Sequence, residues 1–349
     1  MSVGPRRILH LLASPAWSGP AENVALLAAA QRELGHEVAI AVDRKRARPA
    51  NEEPIVPRLR ELELLDGPGL ELSVKSTPLA MLRDVAALKA RALDVVHAHF
   101  THDHLIARFG TPRGAVLIRS VHAPRSLRRS LPRADGFTVP TQELAEALGP
   151  RRHRVLGPAV APSFVPAPDR SALRSALGID GAPLIGMVSN LQPSRRHALG
   201  LEAFSILAGQ APQARLVIVG EGPLEASLRA RAAEPGLEGR VHFAGYREGA
   251  GFVRWLQALD EVWILGLGND WSGRAAAQAR ACGVRVVAVA EGGLPPLADA
   301  VVRDLTPSEL VAASRAGGRS AVPLPDNRAL AEQVLALYAE ALGDRGARP

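Results

Sequence analysis

The first half of the chain alternates short apolar segments with segments of helical periodicity. The segment RILHLLA at 7–13 predicts a buried strand, and AENVALLAAAQREL at 21–34 predicts a helix that stops at Gly35. Further strands are predicted at 37–43, 70–76, 94–100, 115–121 and 136–140. Aliphatic and β-branched strands that alternate with helices predict a parallel sheet covered on both faces.

A segment rich in proline and alanine at 158–169 interrupts this alternation and predicts a linker. Strands separated by helices then return at 184–190, 214–220, 240–245, 261–265 and 285–290, followed by a last amphipathic helix at 326–343. We therefore predict an α/β protein of two doubly wound parallel-sheet domains that face each other across a cleft. The domains are predicted at 1–157 and 170–325, with 326–349 forming a C-terminal helix that packs back on the first domain.

Composition narrows the classes of function. The 349 residues are 47% hydrophobic and 22% charged, which is globular, and the formal net charge is +7. A basic chain suits nucleic acid, an anionic membrane surface or phosphorylated substrates. The chain lacks zinc-finger spacing, long basic runs and an aromatic-rich platform, so we expect no nucleic-acid partner. The single cysteine, Cys282, is expected to be a packing residue.

The sequence also bears on location. The apolar part of the N-terminal segment is too short for a signal peptide, and no run approaches the length of a membrane span. One cysteine allows no disulfide within the chain, which is typical of a reducing compartment. We expect a cytoplasmic protein, either soluble or peripheral on the inner face of the membrane.

Polar residues follow the predicted strands of the first half. The small-residue loop at 14–24, which contains Gly19, is either a plain turn or a place where a backbone approaches an anion. Four histidines follow the fourth strand, but no carboxylate completes a recognisable metal set, so we expect partial burial of one or two of them and no metal. They are His97, His99, His102 and His104.

The fifth predicted strand ends close to His122, which we expect to face the cleft. A basic segment follows it. This segment is either a solvated face or a site of attraction to anionic lipid or to a phosphorylated acceptor. Its cations are Arg125, Arg128, Arg129 and Arg133.

Anion-friendly loops recur in the second half. Arg195 and Arg196 stand at the start of a predicted helix, where the helix dipole disfavours cations unless an anion compensates. A glycine-rich turn contains Gly220 and Glu221. A later helix starts near Gly273, so we expect the N–H groups of Gly273, Arg274 and Ala275 to point at the cleft as a second anion site, and the amide of Gln278 lies one turn further on. A nucleotide diphosphate is the ligand we expect. The sequence contains no Asp-x-Asp pair that would indicate a bridging divalent metal.

Several segments resemble the glycosyltransferases of family 4, which have two facing Rossmann-like domains, the GT-B fold. The resemblance spans nearly the whole chain and is carried by residues 17–38, 94–107, 120–122, 186–204, 217–228, 241–246 and 268–297. It implies a metal-independent, retaining transfer of a sugar from a nucleotide-sugar to a hydroxyl of a glycan or lipid-linked acceptor. The first domain would bind the acceptor and the second the donor.

The resemblance also implies roles for single residues. Asp270 would hold hydroxyls of the donor sugar and Gln278 the ribose, while the two phosphate-binding positions fall at Asn190 and Arg195. His122 would lie close to the reacting centre, and Gly19 would belong to the first glycine-containing loop.

Five positions depart from the family pattern, namely Pro20, Asn190, Arg195, Gln278 and Pro296. Pro20 lacks an N–H, and Gln278 replaces a carboxylate by a neutral amide. We therefore expect a glycosyltransferase of cell-surface polysaccharide or glycolipid assembly, with a catalytically silent relative that binds nucleotide or scaffolds a partner as the alternative. A different enzyme on the same fold, such as an epimerase or a phosphorylase, is a second alternative.

Overall fold

The computed structural model describes residues 4–46, 53–127, 134–266, 273–324 and 326–346. The chain divides into two compact units. Unit 1 comprises residues 1–159 together with 325–349, and unit 2 comprises residues 160–324. Each unit contains one six-stranded sheet. The prediction of an α/β chain with two doubly wound parallel sheets is confirmed.

Unit 1 is built on a sheet in which all neighbouring strands are parallel, in the order β2-β1-β3-β4-β5-β6. Its strands are β1 (Arg7–Leu12), β2 (Glu37–Val42), β3 (Val95–Ala98), β4 (Val116–Ser120), β5 (Gly136–Val139) and β6 (His153–Val155). The helices between them are α1 (Gly19–Glu33), α2 (Ile55–Glu61), α3 (Pro78–Lys89), α4 (Thr101–Gly110) and α5 (Gln142–Leu148).

Unit 2 repeats the arrangement in the order β12-β11-β10-β7-β8-β9, again with parallel neighbours. Its strands are β7 (Leu184–Val188), β8 (Arg215–Val219), β9 (Val241–Gly245), β10 (Glu261–Ile264), β11 (Arg285–Val289) and β12 (Ala300–Val302). Its helices are α6 (Arg170–Leu177), α7 (His197–Gln210), α8 (Glu225–Ala232), α9 (Gly249–Ala258), α10 (Arg274–Ala281) and α11 (Pro307–Arg315). The chain closes with α12 (Asn327–Gly346), which belongs to unit 1.

The last helix covers one face of the first sheet. Leu337 and Tyr338 of α12 are fully buried, in a cluster with Ile8 of β1 and Ile118 of β4. The packing is close, since a Cβ on Gly136 of β5 would lie 3.0 Å from a methyl carbon of Leu337. α12 thereby covers an apolar face of the sheet, as a doubly wound sheet requires helices on both faces.

Both cores consist mainly of aliphatic and alanine side chains, with Trp263 as the largest fully buried residue of unit 2. Cys282 is fully buried, and burial raises the pKa of its thiol to about 11. Among the helices of the described segments, none is both long and apolar enough to cross a bilayer.

The predicted strand at 70–76 is wrong. Leu70 and Leu72 are buried as the alternation implies, but the Asp84 carboxylate accepts the N–H groups of Glu71 and Leu72 at 2.8 and 3.0 Å. The segment at 64–66 pairs instead with Ile40 of β2, through N–H···O bonds of 2.7 and 2.9 Å. Both the edge of β2 and the donors of 71–72 are therefore already used.

Candidate functional site

Each sheet has a point at which the chain reverses its direction of winding. β1 lies between β2 and β3 in unit 1, and β7 lies between β8 and β10 in unit 2. In unit 1, the loops that follow β1 and β3 leave the carboxyl ends of these strands and run in opposite directions. The loops that follow β7 and β10 do the same in unit 2. Such a crevice is where open α/β sheets bind ligands, so each unit carries one candidate site.

In unit 2, the loops after β7 and β8 are joined by backbone hydrogen bonds. Leu191 donates to the Glu221 carbonyl at 2.8 Å, and Leu224 donates to the Leu191 carbonyl at 3.1 Å. Gly220 has a φ of +148°, and a Cβ there would overlap the Ser189 carbonyl oxygen. Its own N–H donates to the Gly245 carbonyl at 3.0 Å. Gly220 therefore allows two loops to approach closely, and its N–H is already used within the protein.

The loop after β7 brings Asn190 and Arg195 together. The Arg195 Nε donates to the Asn190 Oδ1 at 3.1 Å, so the two positions matched to the family's phosphate-binding residues are in direct contact. Arg196 caps α7 in the left-handed region, with a φ of +53° that is uncommon for a residue with a side chain. Burial lowers the pKa of the next residue, His197, to about 4, so this helix starts with a neutral imidazole.

The loop after β10 leads into α10. Gly273 caps that helix with a φ of +65°, and a Cβ there would lie 2.5 Å from the Gly293 carbonyl oxygen in the loop after β11. The start of α10 is thus packed closely against the loop after β11. Gln278 lies one turn further on and is 4% exposed. Asp270, which the resemblance assigns to the donor sugar, lies outside the described residues.

In unit 1, Gly19 is the first residue of α1, which begins two residues earlier than the predicted start at residue 21, and Pro20 follows it. His122 comes two residues after β4, and its ring centroid lies 6.2 Å from that of His99. Burial lowers the pKa of His122 to about 4. Its buried Nε2 has no hydrogen-bond partner within the described segments. His122 is therefore a neutral imidazole at pH 7. Of the basic segment, Arg128, Arg129 and Arg133 lie outside the described residues, whereas Arg125 belongs to a short 3₁₀ turn at Pro124–Ser126.

His97 in β3 and His99, the first residue after β3, are more deeply buried than predicted. His97 and His99 are at most 3% exposed and lie beside His10 of β1, also fully buried. His10 Nδ1 lies 2.9 Å from His99 Nε2, and His10 Nε2 lies 2.9 Å from the Gln31 Oε1 of α1. Gln31 Nε2 donates to the Tyr338 hydroxyl at 3.3 Å.

The chain of hydrogen bonds continues from α12 across the sheet. The Tyr338 hydroxyl lies 2.6 Å from His97 Nδ1, and His97 Nε2 lies 2.9 Å from Ser120 Oγ. Ser120 Oγ in turn lies 2.8 Å from Thr138 Oγ1 on β5. We call these seven side chains the buried polar chain: His99, His10, Gln31, Tyr338, His97, Ser120 and Thr138.

The buried polar chain has a single direction. Because Tyr338 accepts from Gln31, its one hydroxyl proton is free to go to His97 Nδ1, so neutral His97 carries its proton on Nε2. The Gln31 oxygen must accept from His10 Nε2, which leaves His10 Nδ1 to accept from His99. Burial lowers the pKa of all three histidines, that of His10 to about 4, which keeps them neutral. One tautomer per ring satisfies the whole chain.

His10, His97 and His99 also meet a spacing that suits a metal, since their ligand atoms lie within 4.8 Å of one another. However, both ring nitrogens of His10 and of His97 already have protein hydrogen-bond partners. Only Nδ1 of His99 is without one in the part of the chain that the structure describes. The donor set therefore fits the hydrogen-bond chain better than it fits a cation.

Asp103 of α4 ties the ends of β1 and β3 together. Its carboxylate is fully buried and accepts the N–H groups of Ala13 at 2.9 Å and Phe100 at 2.8 Å. Burial raises its pKa to about 7, and these backbone hydrogen bonds act in the opposite direction. Asp103 thereby fixes the two loops that flank the crevice of unit 1.

A cavity of about 670 Å³ lies at this crevice. Ser14 follows β1 and Phe100 follows β3, and both line the cavity, together with apolar side chains that include Val74 and Leu105. Its polar lining residues are Ser14, Arg46, Thr101 and His102. Burial lowers the pKa of His102, whose Nε2 is buried and unpartnered within the described segments. The cavity thus offers one cation, one neutral imidazole and the hydroxyl groups of Ser14 and Thr101 between apolar walls.

Sequence reasoning missed His10, Gln31, Tyr338 and Arg46 as site residues. The sequence did contain a signal for His10, because His10 and His97 are polar residues in the middle of apolar strands. They pair in register on neighbouring strands, which the sequence alone does not give.

Two family models match the chain. Residues 17–159 match Glycosyltransferase Family 4, and residues 169–303 match Glycosyl transferases group 1. Among curated proteins, the chain is similar to the D-inositol 3-phosphate glycosyltransferase of Mycolicibacterium vanbaalenii, with 28% identity over 69% of this chain and 64% of that protein. The protein of the same name from Mycobacterium leprae is 28% identical over 67% of this chain and 61% of its own length. The match thus spans less than two thirds of these relatives.

The fold is also similar to solved structures. Alr3699/HepE of Anabaena in complex with UDP superposes with a TM-score of 0.71 at 19% identity, covering 98% of this chain and all of that one. A glycosyltransferase from Rickettsia africae gives a TM-score of 0.71 at 14% identity, covering 96% and 99%. At such identities the likeness concerns the fold.

Proposed function

Since the chain belongs to the group 1, family 4 glycosyltransferases, we propose that it transfers a sugar from a nucleotide-sugar to a hydroxyl acceptor. The observation that carries the proposal is the contact between Arg195 and Asn190, at the crevice beside β7. Two relatives named D-inositol 3-phosphate glycosyltransferase support the reaction class. The Anabaena protein has been crystallised with UDP-glucose, which supports a nucleotide-sugar donor.

The donor would bind to unit 2. Transfer leaves a nucleoside diphosphate whose negative charge grows as the glycosidic bond breaks, and fixed positive groups lower the barrier by stabilising that charge. Arg195 would supply a cation, which Asn190 orients, and the first turn of α10 would supply N–H groups. Gln278 would accept from or donate to the ribose hydroxyls, and Asp270 would hold the sugar. This mechanism uses neither a covalent nucleophile nor a metal.

The acceptor would bind to unit 1, in the cavity beside β1 and β3. Its apolar walls suit the carbon skeleton of a glycan or a lipid-linked acceptor, and Arg46 suits a phosphate or carboxylate on it. A neutral imidazole can accept a hydrogen bond from an acceptor hydroxyl, and both His102 and His122 remain neutral at pH 7. We assign the role near the reacting hydroxyl to His122. In this proposal transfer proceeds with retention and serves cell-surface polysaccharide or glycolipid assembly at the cytoplasmic side, where Arg125, Arg128, Arg129 and Arg133 attract an anionic acceptor or membrane.

A turnover assay tests the proposal. The purified protein is incubated with UDP-, GDP-, ADP- and TDP-sugars, with and without inositol phosphate or lipid-linked acceptors, and released nucleoside diphosphate is measured by chromatography. We expect release from one donor class, stimulated by acceptor, and a product whose anomeric configuration by NMR is that of the donor. Binding of a nucleotide without turnover would instead identify a catalytically silent relative, and an inverted product would refute retention.

A further inference from the structure

Helices α3 and α4 of unit 1 lie side by side and present a face to solvent. α4 approaches α3 closely at its end, where a Cβ on Gly110 would lie 3.0 Å from the Val85 carbonyl oxygen. Over its 12 residues α3 buries only Asp84 and Leu88. The exposed residues of both helices, with the loop before α3, form what we call the α3–α4 face. They are Val74, Lys75, Thr77, Pro78, Leu79, Leu82, Arg83, Ala86, Lys89, Thr101, Leu105, Arg108 and Phe109.

The apolar members of the α3–α4 face are strongly exposed. Leu82 is 65% exposed, Leu79 60% and Phe109 58%. Spacings of three and four residues place Leu79 and Leu82 on one side of α3, and Leu105 and Phe109 on one side of α4. Amphipathic helices normally turn such residues toward the core. A cluster of large apolar side chains in water indicates a partner.

The charges on this face are of one sign. Lys75, Arg83, Lys89 and Arg108 are exposed, and Arg113 follows close to the end of α4. The stretches 72–93 and 101–114 contain just two carboxylates. Both are buried and accept backbone N–H groups: Asp84 from Glu71 and Leu72, and Asp103 from Ala13 and Phe100. The face therefore lacks surface carboxylates to balance its cations, and it suits an anionic partner.

We propose that the α3–α4 face docks on the surface of a bilayer that contains anionic lipids. A bilayer offers both kinds of contact at once, because anionic headgroups lie above an apolar layer. Leu79, Leu82 and Phe109 enter the headgroup and acyl boundary, while the long cationic side chains reach the phosphates. The Arg108 guanidinium lies 5.4 Å from the Phe109 ring centroid, so charge and apolar surface are already paired. Val74 and Leu105 also line the cavity of unit 1, so the face borders it.

Vesicle flotation with the full chain tests this proposal. The probe is vesicles of phosphatidylcholine with phosphatidylglycerol, compared with pure phosphatidylcholine. We expect binding to the anionic vesicles that weakens as salt rises. Leu82→Ser with Phe109→Ser should weaken partitioning at least tenfold. Arg83→Glu with Arg108→Glu should weaken it at least as much, because each cation near an anionic surface contributes about fivefold.

Matched controls come from unit 2. Ile206 is 40% exposed, and Arg254 is exposed on α9. Ile206→Ser and Arg254→Glu should leave partitioning within twofold of the unmodified chain, and circular dichroism should show every variant folded. Absence of binding to anionic vesicles would overturn the proposal, as would equal losses in controls and face variants. Loss in the charge variant alone would also overturn it, because Leu82 and Phe109 would then not enter the bilayer and the attraction would be electrostatic only.

Discussion

The hydroxyl of Tyr338 connects two branches of the buried polar chain, so its removal has a calculable cost. In Tyr338→Phe, His97 Nδ1 loses the hydroxyl 2.6 Å away and Gln31 Nε2 loses its acceptor at 3.3 Å. The phenyl ring keeps the packing of α12 on the sheet. A buried polar group left without a partner costs roughly 1–3 kcal/mol. Two such groups predict a loss of roughly 2–6 kcal/mol in the free energy of unfolding of unit 1.

Pulse-labelled hydrogen exchange across a urea gradient measures this loss, because peptides from β1 and β3 report on unit 1 separately from unit 2. The control is Tyr246→Phe, which alters the other of the two tyrosines in the chain. Tyr246 is 49% exposed and donates to Glu248 at 3.3 Å, so we expect its loss to cost below about 0.5 kcal/mol. A Tyr338→Phe loss as small as that of the control would refute the buried polar chain.

Two further predictions concern pH and backbone geometry. Burial lowers the pKa of His10 and His122 from 6.5 to about 4, so between these values the unfolded chain binds more protons and stability falls with acid. From pH 7 to pH 5 we expect the free energy of unfolding of unit 1 to fall by roughly 2 kcal/mol for each of these two histidines. Asp103, with its raised pKa of about 7, acts in the opposite sense and restores roughly the amount that one histidine removes. Urea titrations that show unit 1 stabilised by acid would contradict this. Gly220→Ala should destabilise unit 2 by roughly 2 kcal/mol or more because of its positive φ and the overlap with Ser189. Thermal melts of both variants check this. Gly209→Ala in α7, where a Cβ meets no atom within 4 Å, should be neutral, and similar losses in both variants would contradict the loop packing.

Most of the parallel strands could be predicted because an apolar run is visible in the sequence without knowledge of the strand that pairs with it. The strand predicted at 70–76 is wrong because a local pattern does not show hydrogen-bond partners. Leu70 and Leu72 are buried as the alternation implies, but Asp84 accepts the N–H groups that a neighbouring strand would need. The edge strands β6 and β12 have three residues each, which is too short for a pattern to register.

Part of the candidate site could likewise be predicted from the sequence, and part could not. Loop position and residue type were enough to select Arg195 and Gly273, because both follow strands in the sequence, whereas Asn190 was selected through the family resemblance alone. The polar chain from His99 to Thr138 depends on strand register and on a helix more than 300 residues from Gln31 along the sequence, with Tyr338 and Gln31 separated by 307 positions. No local pattern contains that information. The left-handed φ of Arg196 is likewise set by the packing of its loop and not by its residue type.

Calorimetric titration with UDP, GDP, ADP and TDP examines whether unit 2 holds a pyrophosphate. We expect one nucleoside diphosphate to bind the unmodified chain. Arg195→Ala should weaken that binding by about tenfold to a hundredfold, the range expected when a charged hydrogen bond is lost, and Arg196→Ala should weaken it less. If none of the four binds, or if Arg195→Ala costs no more than Arg196→Ala, Arg195 does not hold the leaving group and the proposed donor site is wrong.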